Sequence, residues 1–376
     1  MVSETAAVHP VRVAPQGVRL EELGLADAVR ECAPDWPAFR ARVDLSPFLH
    51  PDYLALWART MGAVDVCRVI VARRGGDLVG FGPFAIVDEP LGPLSVRTLR
   101  LIGNNVGSPG DVIYSDLAAD APRREIVRAI LGRALRWRTQ KWDFGYLPPS
   151  SETASVARIV AAPSNNGVPD DTRMYVGLPL PRTWEAFLEG LSGNVRRSFH
   201  RRFRRLGEKG RVDVRVARDP ESARRAVREM IRNHRRWWDG TERSTWFGDA
   251  KVERFLDASA GFLAERGQYL AFTLELDGQP IAWNVGAWDG ARYFEQHISF
   301  DRTYAECSPG VLLGTLIAKN LVELGATKLE LGPGFDERKQ GLGGIPSAYE
   351  RLRLYRGWLS KAAAVRTSLR GGRTGS

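Results

Sequence analysis

Lysine is scarce in this chain, cysteine and histidine are few, and no apolar run is long enough to cross a bilayer. Of 54 basic residues only 7 are lysine and 47 are arginine; against 44 acidic residues they give a formal net charge of +10. That balance invites anionic partners without naming one. The abundance of arginine beside much Ala and Gly fits a GC-rich coding background, so each arginine counts for less. The three cysteines, Cys32, Cys67 and Cys307, form no CxxC pair, which excludes a disulfide framework or a cysteine zinc site. The five histidines show no HxxxH or HExxH spacing, so no metal is expected. The N-terminus has neither a basic start nor an apolar core segment, and no stretch approaches the ~20 apolar residues a bilayer span needs. A cytoplasmic protein is expected.

What is present reads as a soluble α/β chain in two halves. Residues 1–17 and 366–376 read as frayed ends. Residues 18–165 and 172–365 are the expected domains, joined by the Pro-, Asn- and Gly-rich stretch 160–171. The first half offers a short helix at 50–60 and a hairpin at 67–87 around Gly75-Gly76-Asp77. A strand at 96–103, a helix within 121–140 and a strand at 141–147 follow. The second half offers a strand "RVDVRVA", a helix opened by Asp219-Pro220 and another at about 250–265. Three strands over 268–300 are joined by Asp277-Gly278 and Asp289-Gly290, and a helix from Ser308 to Gly325 leads to the strand "TKLELG". "ARRGGDLVG" and "LELDGQPIA" hold equivalent places in the two halves, as do "KWDFG" and "KLELG". Two echoes in the same order predict a duplicated unit.

The second half opens with "GNVRRSFHRRFRRLGEKGR". Leu188, Leu191, Val195, Phe199, Phe203 and Leu206 predict one buried helical stripe, with Arg197, Arg201, Arg204 and Arg205 projecting opposite. An ordinary surface helix explains this face. A tRNA backbone or a phosphorylated cofactor does so equally, since arginine forks match phosphate geometry.

The stretches "NVRRSFHRRFRRLGEKGRVDVRV", "HRRWWDG", "LELDGQPIAWNVGAWDGARYFEQHISFD", "SPGVLL" and "LELGPGFDERKQ" resemble, in that order, the CelD-like acyltransferase group first linked to cellulose biosynthesis. That group belongs to the GNAT superfamily. "GGDLVGFGPFAIV", "LRLIGNNVGSPGDVIYSDL" and "WDFGYLPPSS" extend the resemblance to roughly residues 45–360. It implies an α/β (α+β) fold of tandem GNAT-like domains, each a mixed, mostly antiparallel sheet flanked by helices. It is an arrangement shared with Fem-type transferases. It also implies acetyl-CoA or another acyl-CoA as co-substrate, with the acyl group moved to a primary amine of a small or sugar-type acceptor.

Candidate residues follow from that chemistry. The helix start at Ser308, Gly310, Val311 and Leu312 offers backbone N–H groups and a partial positive charge to a diphosphate. In "RYFEQHISF", alternation puts Tyr293, Glu295, His297 and Ser299 on one face, with Glu295 or His297 as base. Tyr304 is the candidate acid for the departing thiol. His234, Trp237, Trp283 and Lys339 are the candidate acceptor-binding residues; Lys339 matches a lysine of the group, while Arg338 stands where a tyrosine is usual. With no activated nucleophile apparent, direct attack in a ternary complex is expected. Two rivals remain: a Fem-like transferase using aminoacyl-tRNA, and a non-catalytic scaffold with decayed domains.

Overall fold

The computed structural model describes residues 17–43, 45–91, 93–103, 110–115, 123–161, 171–238 and 247–356. The expected frayed ends and most of the expected linker lie outside them. The chain forms two compact units interleaved in sequence: residues 1–45, 63–173 and 349–376 make the first, and residues 46–62 and 174–348 the second. A single cut at 165–172 therefore misplaces two segments. The helix at 51–61 packs on a helix of the second unit, and the strand after Tyr349 belongs to the first.

Elements are numbered along the chain. The first unit holds β1 (Val18–Gly24), α1 (Leu25–Cys32), α2 (Trp36–Arg40), β2 (Cys67–Arg74), β3 (Asp77–Leu91), β4 (Leu94–Leu101) and β5 (Ile113–Tyr114). It continues with α4 (Arg123–Ala134), β6 (Lys141–Leu147), α5 (Glu152–Ala161) and most of β13 (Ile345–Tyr355). Strand order is β1-β2-β3-β4-β6-β13, antiparallel except for the parallel pair β4/β6. Ile126, Ile130 and Leu131 of α4 are fully buried over the sheet against Ile70, Leu99, Trp142 and Phe144, as the helical spacing requires.

The second unit holds α3 (Pro51–Met61), β7 (Thr172–Pro179), α6 (Trp184–Gly190), α7 (Gly193–Gly207), β8 (Val212–Ala217), α8 (Pro220–Trp238) and α9 (Ala250–Glu265). After these come β9 (Tyr269–Leu276), β10 (Gln279–Trp288), β11 (Arg292–Phe300), α10 (Pro309–Glu323), β12 (Lys328–Pro333) and α11 (Glu337–Gly341). Read from its outer edge, the strand order is β8-β9-β10-β11-β12-β7, again antiparallel except for the parallel pair β11/β12. The hairpin echo falls on β2/β3 and β9/β10, and the Lys-led echo on β6 and β12. Each unit is a mixed, mostly antiparallel sheet flanked by helices.

The Asp277-Gly278 turn has both residues left-handed, at φ 50° and 75°, the geometry a two-residue hairpin needs. The arginine segment departs from the single expected helix. Ser192 caps α7 by accepting from Val195 N–H at 3.3 Å, so Leu188 and Leu191 belong to α6 and the link after it. Phe199 and Leu206 are buried, but Phe203 stays 40% exposed. The apolar stripe is shorter than its spacing suggested because α7 touches the core along only part of its length.

Candidate functional site in the second unit

The parallel pair β11/β12 is short. Register runs Arg292↔Lys328, Tyr293↔Leu329 and Phe294↔Glu330, and then the strands part. β11 continues to Phe300 without β12, leaving a fork whose arms are residues 295–300 and 331–333. On its other side β11 follows β10 with a fault: Gly286 faces Glu295 and Val285 faces His297, so Gln296 is an extra residue, a β-bulge. Glycine permits it. A Cβ on Gly286 would lie 2.1 Å from the Phe294 carbonyl oxygen and 2.9 Å from the Tyr293 ring.

The bulge overturns the expectation that Tyr293, Glu295, His297 and Ser299 share a face. One inserted residue shifts the period-two alternation. Tyr293 and Glu295 lie on the α10 side. There Tyr293 Oη donates to Asn284 Oδ1 at 2.8 Å, and Asn284 Nδ2 donates to Glu295 Oε2 at 2.7 Å. His297 and Ser299 lie on the α8 side. Asn233 Nδ2 donates to Ser299 Oγ at 2.8 Å, and the Phe247 ring stands edge-on to His297 at 5.3 Å between centres.

Glu295 is fully engaged. Arg338 donates to it through both terminal nitrogens, at 2.6 and 3.2 Å, and both side chains are largely buried. A bidentate guanidinium and an amide donor together occupy both of its oxygens. Its geometry is that of an anchor. The arginine in place of the group's usual tyrosine is thus the fixed partner of Glu295.

His297 is the opposite case. Its Nε2 is enclosed and has no hydrogen-bond partner among the described residues. Burial, followed by the neighbouring His234 ring, pushes its imidazole down to about 4, so at neutral pH it is uncharged and keeps a lone pair. His234, half-buried on α8, lies 4.4 Å from Phe247 between ring centres. Trp237 Nε1 donates to Asn233 Oδ1 at 3.2 Å. Trp283 is buried, and its Nε1 points to Glu229 Oε2 at 3.4 Å. The structure therefore gathers His297, His234 and Trp237 around Phe247 and Asn233, neither of which was singled out from the sequence. Asn233 sits one position before His234 on an amphipathic helix, where nothing local marks it.

Lys339 is 4% exposed, and its Nζ donates to the carbonyls of Gly332 and Pro333 at 3.1 and 2.6 Å. Burial pulls its ammonium below the usual lysine range, against the pull of Glu295. It brackets the end of β12, so two of its three donors are spent on backbone.

The start of α10 offers less than its sequence promised. Ser308 is left-handed at φ 48°, ψ 56° and makes no side-chain cap bond. A non-glycine residue there stores about 1 kcal/mol or more of strain. Its carbonyl accepts from Val311 N–H at 3.0 Å and Leu312 N–H at 3.1 Å. Leu312 is the first residue able to close a helical bond, and Val311 tightens the turn as a 3-10 contact. Pro309 has no N–H, so Gly310 supplies the remaining amide. Phe300 and Ile298 of β11 close around Gly310: a Cβ there would lie 3.3 Å and 3.8 Å from their side chains. Tyr304, half-buried, lies in the 3-10 turn 302–307 that enters α10, and Cys307 is sealed in the apolar core.

Against this geometry the comparisons are specific. Residues 193–340 match the family model described as an acetyltransferase (GNAT) domain. The second unit carries a GNAT domain. Its match takes in α7, the forked strands, the start of α10 and Arg338, and it makes this unit an acyltransferase domain. No curated protein matches the chain. Among solved structures the chain is similar to FemX, with TM-score 0.57 and 11% identity over 88% of this chain and 96% of that one. It is also similar to the C-terminal domain (DUF2156) of a lysylphosphatidylglycerol synthetase from Agrobacterium fabrum, with TM-score 0.51 and 11% identity over 92% and 96%. A conserved protein of unknown function from Bacteroides thetaiotaomicron VPI-5482 gives TM-score 0.51 and 10% identity over 90% and 100%. Likenesses at such identity extend the shared fold beyond the GNAT domain and say nothing of substrate. Among the described residues no helix is long and apolar enough to cross a membrane.

Proposed function

We propose that the protein moves an acyl group from acyl-CoA to a primary amine of a small or sugar-type acceptor in the cytoplasm. The observation that carries the reading is the fork of β11 and β12 in a GNAT domain, with the Gly286 bulge turning His297 to one face and Glu295 to the other.

In this reading the thioester lies in the fork, and Gly310 N–H donates to a phosphate of its carrier. The amine nitrogen attacks the carbonyl carbon, the C–N bond forms and the C–S bond breaks. The attacking nitrogen loses a proton, and the departing thiolate gains one to become CoA thiol. His297, uncharged at neutral pH with an enclosed, unpartnered Nε2, accepts the hydrogen bond of the attacking nitrogen once the acceptor enters beside it, and takes its proton through the step. Tyr304 supplies the thiolate proton. His234, Trp237 and Trp283 form the acceptor wall, and Lys339 holds the end of β12. Glu295, locked to Arg338, fixes β11, the strand that carries His297.

The test is calorimetry with acetyl-CoA, followed by thiol release across an amine panel. Binding and amine-dependent release are expected; absence of both for the unmodified protein overturns the reading. A second reading, transfer from aminoacyl-tRNA, is favoured by one observation, the unpaired arginine face of α7. It predicts binding of charged tRNA that falls steeply with salt.

A further inference from the structure

Arginine on α7 differs from arginine elsewhere in the second unit by its clustering. Elsewhere several guanidinium groups are spent on carboxylates, Arg215 on Glu275 and Glu229, Arg228 on Asp257, Arg235 on Glu253, and Arg338 on Glu295, while others, such as Arg182, Arg218 and Arg254, are exposed and form no ion pair among the described residues. Helix α7 carries Arg196, Arg197, Arg201, Arg202, Arg204 and Arg205 and no acidic residue. Among the described residues no carboxylate lies within ion-pair distance of any of the six. Their hydrogen bonds go to neutral acceptors: Arg196 to the Leu188 carbonyl, Arg197 to Asn194, Arg201 to Ser198 Oγ and Arg205 to the Glu306 carbonyl. Arg197, Arg201, Arg204 and Arg205 are exposed. At i, i+4, i+7 and i+8 they form one row about 12 Å long. Like charges at this spacing oppose the helix they sit on, and an anion along the row relieves that.

The place of the row within the unit says which anion. The N-terminal part of α7 lies by α11, where a Cβ on Gly341 would touch Val195 at 3.7 Å. At the other end Arg205 reaches the Glu306 carbonyl at 3.2 Å, and Lys209 pairs with the Glu306 carboxylate at 3.2 Å. Glu306 belongs to the turn that enters α10, at the fork. That helix start offers a donor's phosphates only the Gly310 amide, so further cations are needed, and the row is longer than one phosphate. Phe199 and Leu206 are used by the core, which leaves Phe203 isolated and gives α7 no apolar face for a lipid surface.

We propose that the Arg197, Arg201, Arg204 and Arg205 face of α7 binds the phosphate groups on the adenosine end of the acyl donor. The inference rests on the acyl-transfer reading above. CoA and the 3′ end of an aminoacyl-tRNA share this chemistry, and the test separates them. The triple variant Arg197→Gln/Arg201→Gln/Arg204→Gln keeps Arg205 on Glu306 and alters only exposed side chains, so its thermal midpoint stays near that of the unmodified protein.

Both proteins are titrated with acetyl-CoA, 3′-dephospho-acetyl-CoA and aminoacyl-tRNA, at low and at physiological salt. With CoA as donor, the triple variant binds acetyl-CoA roughly 30-fold more weakly. Removal of the 3′-phosphate then weakens the unmodified protein more than the variant. With tRNA as donor, the steep salt dependence of its binding is lost in the variant. Unchanged affinity of the variant for whichever donor the unmodified protein takes overturns this inference and leaves acyl transfer standing. An unmodified protein that takes neither donor, or binds only vesicles of anionic lipid, overturns both.

Discussion

In the first unit β4 pairs with β3 in unbroken register, from Phe84↔Leu101 to Leu91↔Leu94. In the second, the equivalent β11 slips by one residue at Gly286. Both units fork after three parallel pairs, Thr98↔Lys141 to Arg100↔Asp143 in the first and Arg292↔Lys328 to Phe294↔Glu330 in the second. In the second unit this slip turns Glu295 and His297 to opposite faces beside the fork. A helix also follows β11 almost at once, through residues 301–308, whereas residues 102–122 separate β4 from α4. At the fork of the first unit Asp143 is clasped by Arg351 at 2.8 and 3.2 Å, with Lys141 at 3.5 Å. Burial works against ionisation of Asp143, and these cations overcome it, holding the carboxyl below its usual range. The comparison teaches that strand order is shared, and so is the irregularity of β6 and β12, while the bulge between β10 and β11 has no counterpart between β3 and β4.

The hardest blow to that contrast is Gly286→Val. Its side chain would meet the Phe294 carbonyl, so a loss of about 3 kcal/mol, together with loss of acetyl-CoA binding, is expected from denaturant unfolding and calorimetry. Asp143→Ala should cost about 3 kcal/mol by stranding the Arg351 guanidinium. Turnover per folded molecule should hold, and a proportional fall in turnover would show that the first unit takes part in chemistry. A double-mutant cycle of Glu295→Gln and Arg338→Met should give a coupling of about 2 kcal/mol in stability; no coupling would end its role as anchor.

The smallest effect concerns pH. The folded-state value for His297, about 4, lies below the ordinary value near 6.5, so the unfolded chain binds the extra proton first. Its contribution is intact above about pH 6.5 and is lost as pH falls toward 4. With the ring partly exposed, about 1 kcal/mol should go between pH 8 and 5. His297→Gln should flatten that part of the stability profile, and an unchanged slope would place the acid sensitivity elsewhere.

Much of this was legible in the residues. Asp277-Gly278 and Asp289-Gly290 marked the hairpins, the two sequence echoes marked equivalent strands, and the α4 periodicity marked a buried face. Gly286 inside a strand is the local sign of the bulge, and "RYFEQHISF" by itself fits an unbroken period-two alternation. Ser308 before Pro309 has the residue type of a helix cap, yet its backbone is left-handed and its side chain makes no cap bond. The pairing of Glu295 with Arg338 and of Asn233 with Ser299 spans 43 and 66 positions, beyond the reach of any local pattern.

By itself the sequence determined which segments are strands and helices, where they turn, and that the plan is repeated, because φ/ψ preference and hydrophobic period act over neighbouring residues. Only the tertiary structure decided which carboxylate is occupied, which buried imidazole nitrogen is left without a partner, and which arginines form no ion pair. Those outcomes depend on contacts closed by folding between residues far apart in the chain, where burial and distance set what each group can do.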